Sequence, residues 1–241
     1  MIEQHEVPAP VAIPRPVEPP SPAPFDRDHL GLEFAAVLLA TIAPNLVLAV
    51  LRFSGAHAGI SAETLFAEAF MQAGWCLLLW YLLSRREAFG WNLPVSAGQW
   101  FKEVGWGLLL MVCLLVGTIA VGAVMHALGV HGSPGPWSQP LRDPSTKLVF
   151  CLLVPLAALN EELLFRVYVQ SRLTRLLRGR PALVVLIGAG LFAVVHDYSL
   201  PGTMAVFVSG LIFAVSYQRN RRIPRLVIAH ALLNLVLVAL S

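Results

Sequence analysis

The chain is a succession of apolar runs, several about twenty residues long, the length needed to cross the hydrocarbon core of a bilayer. One of them carries Leu159-Asn160-Glu161-Glu162-Leu163-Leu164-Phe165-Arg166 in its middle. A charge at bilayer depth costs roughly 2.5–3.5 kcal/mol on insertion scales, so such groups face a protein interior or a wet cavity and mark function. Three of them within six residues single this segment out. The rest of the chain reads as what surrounds and completes it.

Only 13% of the residues are charged against 57% hydrophobic, whereas a soluble domain carries about 25% charged residues. The expected fold is therefore all-α: a polytopic helical membrane protein with seven transmembrane helices, or eight, and its candidate site in the last four. Residues 1–28 are proline-rich and read as a disordered tail. Residues 29–145 supply the N-terminal transmembrane helices, and 146–241 the core. The spans are expected at Leu30–Leu51 (kinked at Pro44), Thr64–Leu83, Val104–Leu128, a long kinked helix Lys147–Leu177, Ala182–His196, Thr203–Tyr217 and Ile223–Leu240. Ser84–Lys102, with Trp91 and Trp100, reads as an interfacial connection, and Leu200-Pro201-Gly202 as the close of the fifth span.

The net charge of +3 matters less than its placement. Most Lys and Arg residues fall in the tail and in the connections that hold Arg85, Arg86 and Lys102, then Arg172 to Arg180, then Arg219 to Arg225. By the positive-inside rule these ends and the N-terminus of a multi-pass protein are cytoplasmic, and the C-terminus is outside. Nothing resembles a nucleic-acid-binding face. Cys76, Cys113 and Cys151 are too widely spaced for a zinc ligand pair or a disulfide framework.

Glu162 and Arg166 lie four apart, so they share a helix face and can pair, either as structural glue or as support for a site. Glu161, rotated by about 100°, is free to point elsewhere and to serve as a general base on water. His196 ends the fifth span, where a lone imidazole is as readily interfacial as catalytic; Asp197 follows it. His230 and Asn234, again four apart, put two hydrogen-bonding groups on one face of an apolar helix. They are interhelical glue or donors to a polarised carbonyl oxygen.

Taken in order, Glu161-Glu162-x-x-x-Arg166, Phe192-x-x-x-His196 and His230-x-x-x-Asn234 on successive apolar helices resemble the CPBP family, the CAAX proteases and bacteriocin-processing enzymes related to the type II CAAX prenyl protease. The resemblance covers roughly residues 146–241. It implies an intramembrane endopeptidase in which Glu161, assisted by His196, activates water, His230 and Asn234 stabilise the oxyanion, and Glu162 and Arg166 support the site. The implied partners are the lipid bilayer and a membrane-embedded or lipidated protein or peptide substrate. A zinc ion on Glu161, His196 and His230 is conceivable. The chain has no H-E-x-x-H spacing, so a metal-free glutamate mechanism is favoured. A reading of another class is a non-catalytic membrane scaffold or a maturation or immunity partner whose buried charges are structural.

Overall fold

The structure is a computed structural model and describes residues 30–41, 62–86, 93–132, 144–178, 180–196 and 199–240. The proline-rich tail, Pro44, Trp91 and Asp197 lie outside them. Among the described residues there are helices and no strands. They are α1 (Leu30–Thr41), α2 (Ala62–Arg86), α3 (Ala97–Ala127), a long rod from Pro144 to Leu176, α6 (Pro181–Val194), α7 (Leu200–Asn220) and α8 (Ile223–Leu240). The rod is α4 (Pro144–Glu161), a π-helical segment (Glu162–Val169) and α5 (Gln170–Leu176) in continuous succession. The expected all-α polytopic architecture is what the chain adopts. Four rods (α2, α3, Pro144–Leu176 and α7) are long and apolar enough to cross a membrane.

Several boundaries differ from expectation, each for a local reason. α3 begins at Ala97, so Trp100 and Lys102 lie inside it and not in a connection. Its start is fixed by Ser96, whose Oγ accepts from the Gln99 backbone N–H at 3.3 Å, while Gln99 Oε1 accepts from the Val95 N–H at 2.8 Å. This is a near relative of the capping box. Leu200-Pro201-Gly202 opens α7 and does not close the preceding helix, because proline suits a first turn whose N–H groups have no intrahelical partner. α7 is accordingly 21 residues long and not short, whereas α6 is as short as expected.

The fold is apolar on its outer faces and encloses a set of polar side chains within an apolar core. α2 and α3 expose Phe70, Phe101 and Ile119, as a lipid-facing surface requires, while Glu103, Glu162, Arg166, Gln170 and Arg172 are buried. Every residue of the π segment is buried. It meets α2, α6, α7 and α8, and is the axis of the bundle.

The neighbours are held by two ion-pair clusters at the basic ends of the helices. Arg172 Nη2 donates to Glu33 Oε1 at 3.0 Å, and the Tyr168 hydroxyl donates to the same oxygen at 3.1 Å, tying α1 to the rod. Arg225 grips both oxygens of Glu103 at 2.8 and 2.9 Å, tying α8 to α3. Arg172 and Arg225, counted in the sequence among the basic charges at the cytoplasmic ends, lie in the expected helices and are paired with carboxylates of their neighbours.

Gly107 of α3 packs directly against α8. A Cβ there would stand 2.8 Å from Ile228 Cγ2 and 3.2 Å from the Arg225 carbonyl oxygen, whereas one at Gly122 would meet nothing within 4 Å. Ile228 is β-branched and cannot swing away freely. Gly107→Ala is expected to lower stability by about 1–3 kcal/mol, the range for overpacking, and Gly122→Ala to leave it unchanged. Thermal unfolding of the two variants in the same detergent checks this.

Candidate active site

The six polar residues singled out from the sequence come from three elements that converge on the middle of the rod. Glu161 is the last residue of α4 and Glu162 the first of the π segment. π segments are rare and recur at functional sites. This one begins at the paired carboxylates, and the two side chains diverge.

Glu162 is fully buried and uses both oxygens. Oε2 accepts from Arg166 Nε at 3.1 Å, and Oε1 accepts from His230 Nδ1 at 2.9 Å. A carboxylate so placed is satisfied on both sides, as burial demands. Arg166 is held in turn by two rings. Its guanidinium carbon lies 4.5 Å from the Phe192 ring centre and 5.2 Å from that of Phe213, within cation–π range.

Glu161 points the other way. Its Oε2 is 3.6 Å from His196 Nε2 and 3.7 Å from His230 Nε2, and it makes no hydrogen bond with any described residue. Those separations exceed a direct hydrogen bond, so the three atoms face one another without being bonded and a polar group entering between them would be shared.

The hydrogen positions follow from the partners. His196 Nδ1 lies 2.7 Å from the Phe192 carbonyl oxygen, which only accepts, so Nδ1 carries the hydrogen. His230 Nδ1 carries one likewise, because it faces the Glu162 carboxylate. In their neutral forms both rings therefore present the Nε2 lone pair toward Glu161. Three acceptors face one small space, and what binds among them must bring protons or positive charge.

Asn234 lies one turn beyond His230 on α8. It is half-buried and makes no hydrogen bond to this group among the described residues. Glu161, Glu162, Arg166, His196 and His230 are brought together; Asn234 flanks them.

Several participants were not assigned a role from the sequence. Phe192 was visible only as part of Phe192-x-x-x-His196, and Phe213 carried no signal, since a phenylalanine in an apolar helix reads as core. Asn160 Nδ2 donates to Gln72 Oε1, joining α4 to α2 one residue before Glu161. The adjacency of Asn160 to the carboxylates was the available clue.

A zinc site asks for donors about 2.0–2.2 Å from one point. Among the described residues, no group of three His, Cys, Asp or Glu side chains is arranged to hold a metal ion.

No curated protein and no solved structure matches the chain. Residues 143–236 match the family model described as type II CAAX prenyl endopeptidase Rce1-like. All six polar residues fall within those bounds, so the segment that carries this site is similar to the Rce1-like type II CAAX prenyl endopeptidases.

Proposed function

We propose that the protein is an intramembrane endopeptidase that hydrolyses a peptide bond with a water held by Glu161 and His196, beside the His230 ring. The observation that carries this reading is the buried, unpartnered Glu161 Oε2 facing two imidazole Nε2 atoms at 3.6 and 3.7 Å. A water there donates to Glu161 and to the Nε2 lone pair of His196, and its oxygen is left to attack a carbonyl carbon. Glu161 takes the proton as the new C–O bond forms. The same proton passes to the leaving nitrogen as the C–N bond breaks, and the second water hydrogen leaves with the product acid.

The oxyanion needs donors at the moment charge develops. His230 donates from Nε2 as the doubly protonated ring, whose charge sits against the Glu162 carboxylate. Asn234, one turn further on, supplies an amide N–H. Glu162 and Arg166 touch no substrate in this scheme and are positioning residues. The family-model match over residues 143–236 and the exposed apolar helix faces support a membrane-embedded or lipidated protein or peptide as substrate. The clustered basic residues support an N-terminus on the cytoplasmic side of a bacterial-type inner membrane.

The test uses the purified protein in lipid nanodiscs with two quenched-fluorescent peptide libraries, one soluble and one carrying a lipid chain, each with and without a chelator. Cleavage of the lipidated library that survives chelation is expected. Cleavage lost on chelation and restored by zinc would move the mechanism to a metal on Glu161, His196 and His230.

The scaffold reading draws on the Glu162–Arg166–His230 cluster, in which Glu162 is satisfied on both oxygens and which also ties the rod to α8. It predicts that Glu161→Asp changes nothing, whereas the protease reading predicts activity lost with folding intact.

A further inference from the structure

The face of the rod that carries Glu162 and Arg166 continues one turn on to Gln170, and α6 answers it in antiparallel register. Gln170 lies against Gly188. A Cβ built on Gly188 would meet Gln170 Cγ at 3.8 Å and nothing nearer. Four residues along α6, Phe192 covers the Arg166 guanidinium at 4.5 Å. Four further, His196 reaches Glu161 at 3.6 Å.

The first two of these three steps hold polar groups that the protein does not satisfy. Gln170 is 3% exposed, and neither its Oε1 nor its Nε2 has a hydrogen-bond partner among the described residues. Arg166 is fully buried, and its Nη1 and Nη2 are likewise unpartnered. An amide and two guanidinium nitrogens offer six N–H donors and one carbonyl acceptor. Buried groups of this kind are normally satisfied, and a buried water makes about three hydrogen bonds to groups the protein leaves over. Gly188, without a side chain, leaves space beside the amide.

We propose that Gln170 and the Nη1 and Nη2 atoms of Arg166 hold buried water one step behind Glu161 and Glu162, and that Gln170 is thereby a positioning residue for hydrolysis. Through that water it fixes the guanidinium, which holds Glu162, which orients the His230 ring. The kinetic consequence rests on the endopeptidase reading; the hydration does not.

Radiolytic hydroxyl-radical footprinting separates the two. X-rays generate radicals from water in place, so a buried ring is modified only where water lies beside it. Phe192 and Phe213, at 2% and 1% exposure, flank the guanidinium. Both are expected to be labelled in the full-length protein, and labelling is expected to fall severalfold in Gln170→Met, which keeps the side chain's length and removes its hydrogen bonds. Gly188→Val, which fills the neighbouring space and leaves the amide in place, is expected to lower labelling in the same way and serves if Gln170→Met does not fold. Labelling absent in the wild type, or unchanged in the folded variants, overturns the proposal even if no peptide is ever cleaved. In the cleavage assay, Gln170→Met is expected to lower kcat about tenfold with KM and Tm held. A variant with wild-type kcat overturns the positioning role.

Discussion

Glu162→Gln is expected to destabilise the protein by about 3–5 kcal/mol, the cost of removing one partner from a buried ion pair. The size follows from what is left behind. Arg166 is fully buried, its Nε donates only to Glu162 among the described residues, and Phe192 and Phe213 close over its faces. Without the carboxylate the guanidinium is an uncompensated charge in a low-dielectric site, which cation–π contacts worth about 2 kcal/mol do not offset. The double variant Glu162→Gln/Arg166→Met removes both charges and is expected to recover most of that loss, since an apolar replacement of a buried pair is often neutral or stabilising. It is expected to remain inactive, because His230 Nδ1 loses its carboxylate partner. Thermal unfolding of the two single variants and the double gives the coupling energy directly. Additive effects would mean that the pair is not the stabilising unit described here.

The largest effect on activity is expected at Glu161. Glu161→Gln keeps the size and hydrogen-bonding reach of the side chain and removes its ability to take a proton. General acid–base groups contribute about 10²–10⁴-fold, and a loss in this range in kcat, with little change in KM, is expected. Stability is expected to hold, because Glu161 Oε2 makes no hydrogen bond that the substitution would break. The two neighbouring carboxylates are thus expected to fail in opposite ways, one in folding and the other in chemistry. Initial rates on the lipidated library, paired with melting curves, separate them. A Glu161 variant that melts early and a Glu162 variant that merely slows would reverse the assignment.

That contrast was only half legible in the sequence. The spacing of Glu162 and Arg166 gives their pairing at once, because residues four apart on a helix are neighbours. The apolar runs give the all-α membrane fold for the same kind of reason: periodicity and length are local properties. What closes the site is not local. His230 donates to Glu162 and faces Glu161 across 68 and 69 residues of chain, and nothing near His230 distinguishes that partner from lipid headgroups or a neighbouring helix. The π segment has no composition of its own, since Leu163, Leu164 and Phe165 are as good in an α-helix.

Helix starts escaped for a different reason. Ser96-x-x-Gln99 caps α3 within a polar stretch that, by hydropathy alone, reads as a connection. Glu103 argues against a buried helix until Arg225, 122 residues later, pairs with it. The same holds for Glu33 and Arg172. Charges near the ends of apolar helices read as interfacial when their partners are distant in sequence, and here tertiary pairing buries them.

The most direct test of the endopeptidase reading is product analysis in H₂¹⁸O. Wild type and Glu161→Gln, matched by melting temperature in nanodiscs, are incubated with the lipidated library and the fragments weighed. The account predicts fragment pairs from the wild type that sum to the parent plus one labelled water, with the label in the new carboxyl group, and the same pairs about 10²–10⁴-fold more slowly from Glu161→Gln. The same labelled fragments at the same rate from both proteins would contradict it.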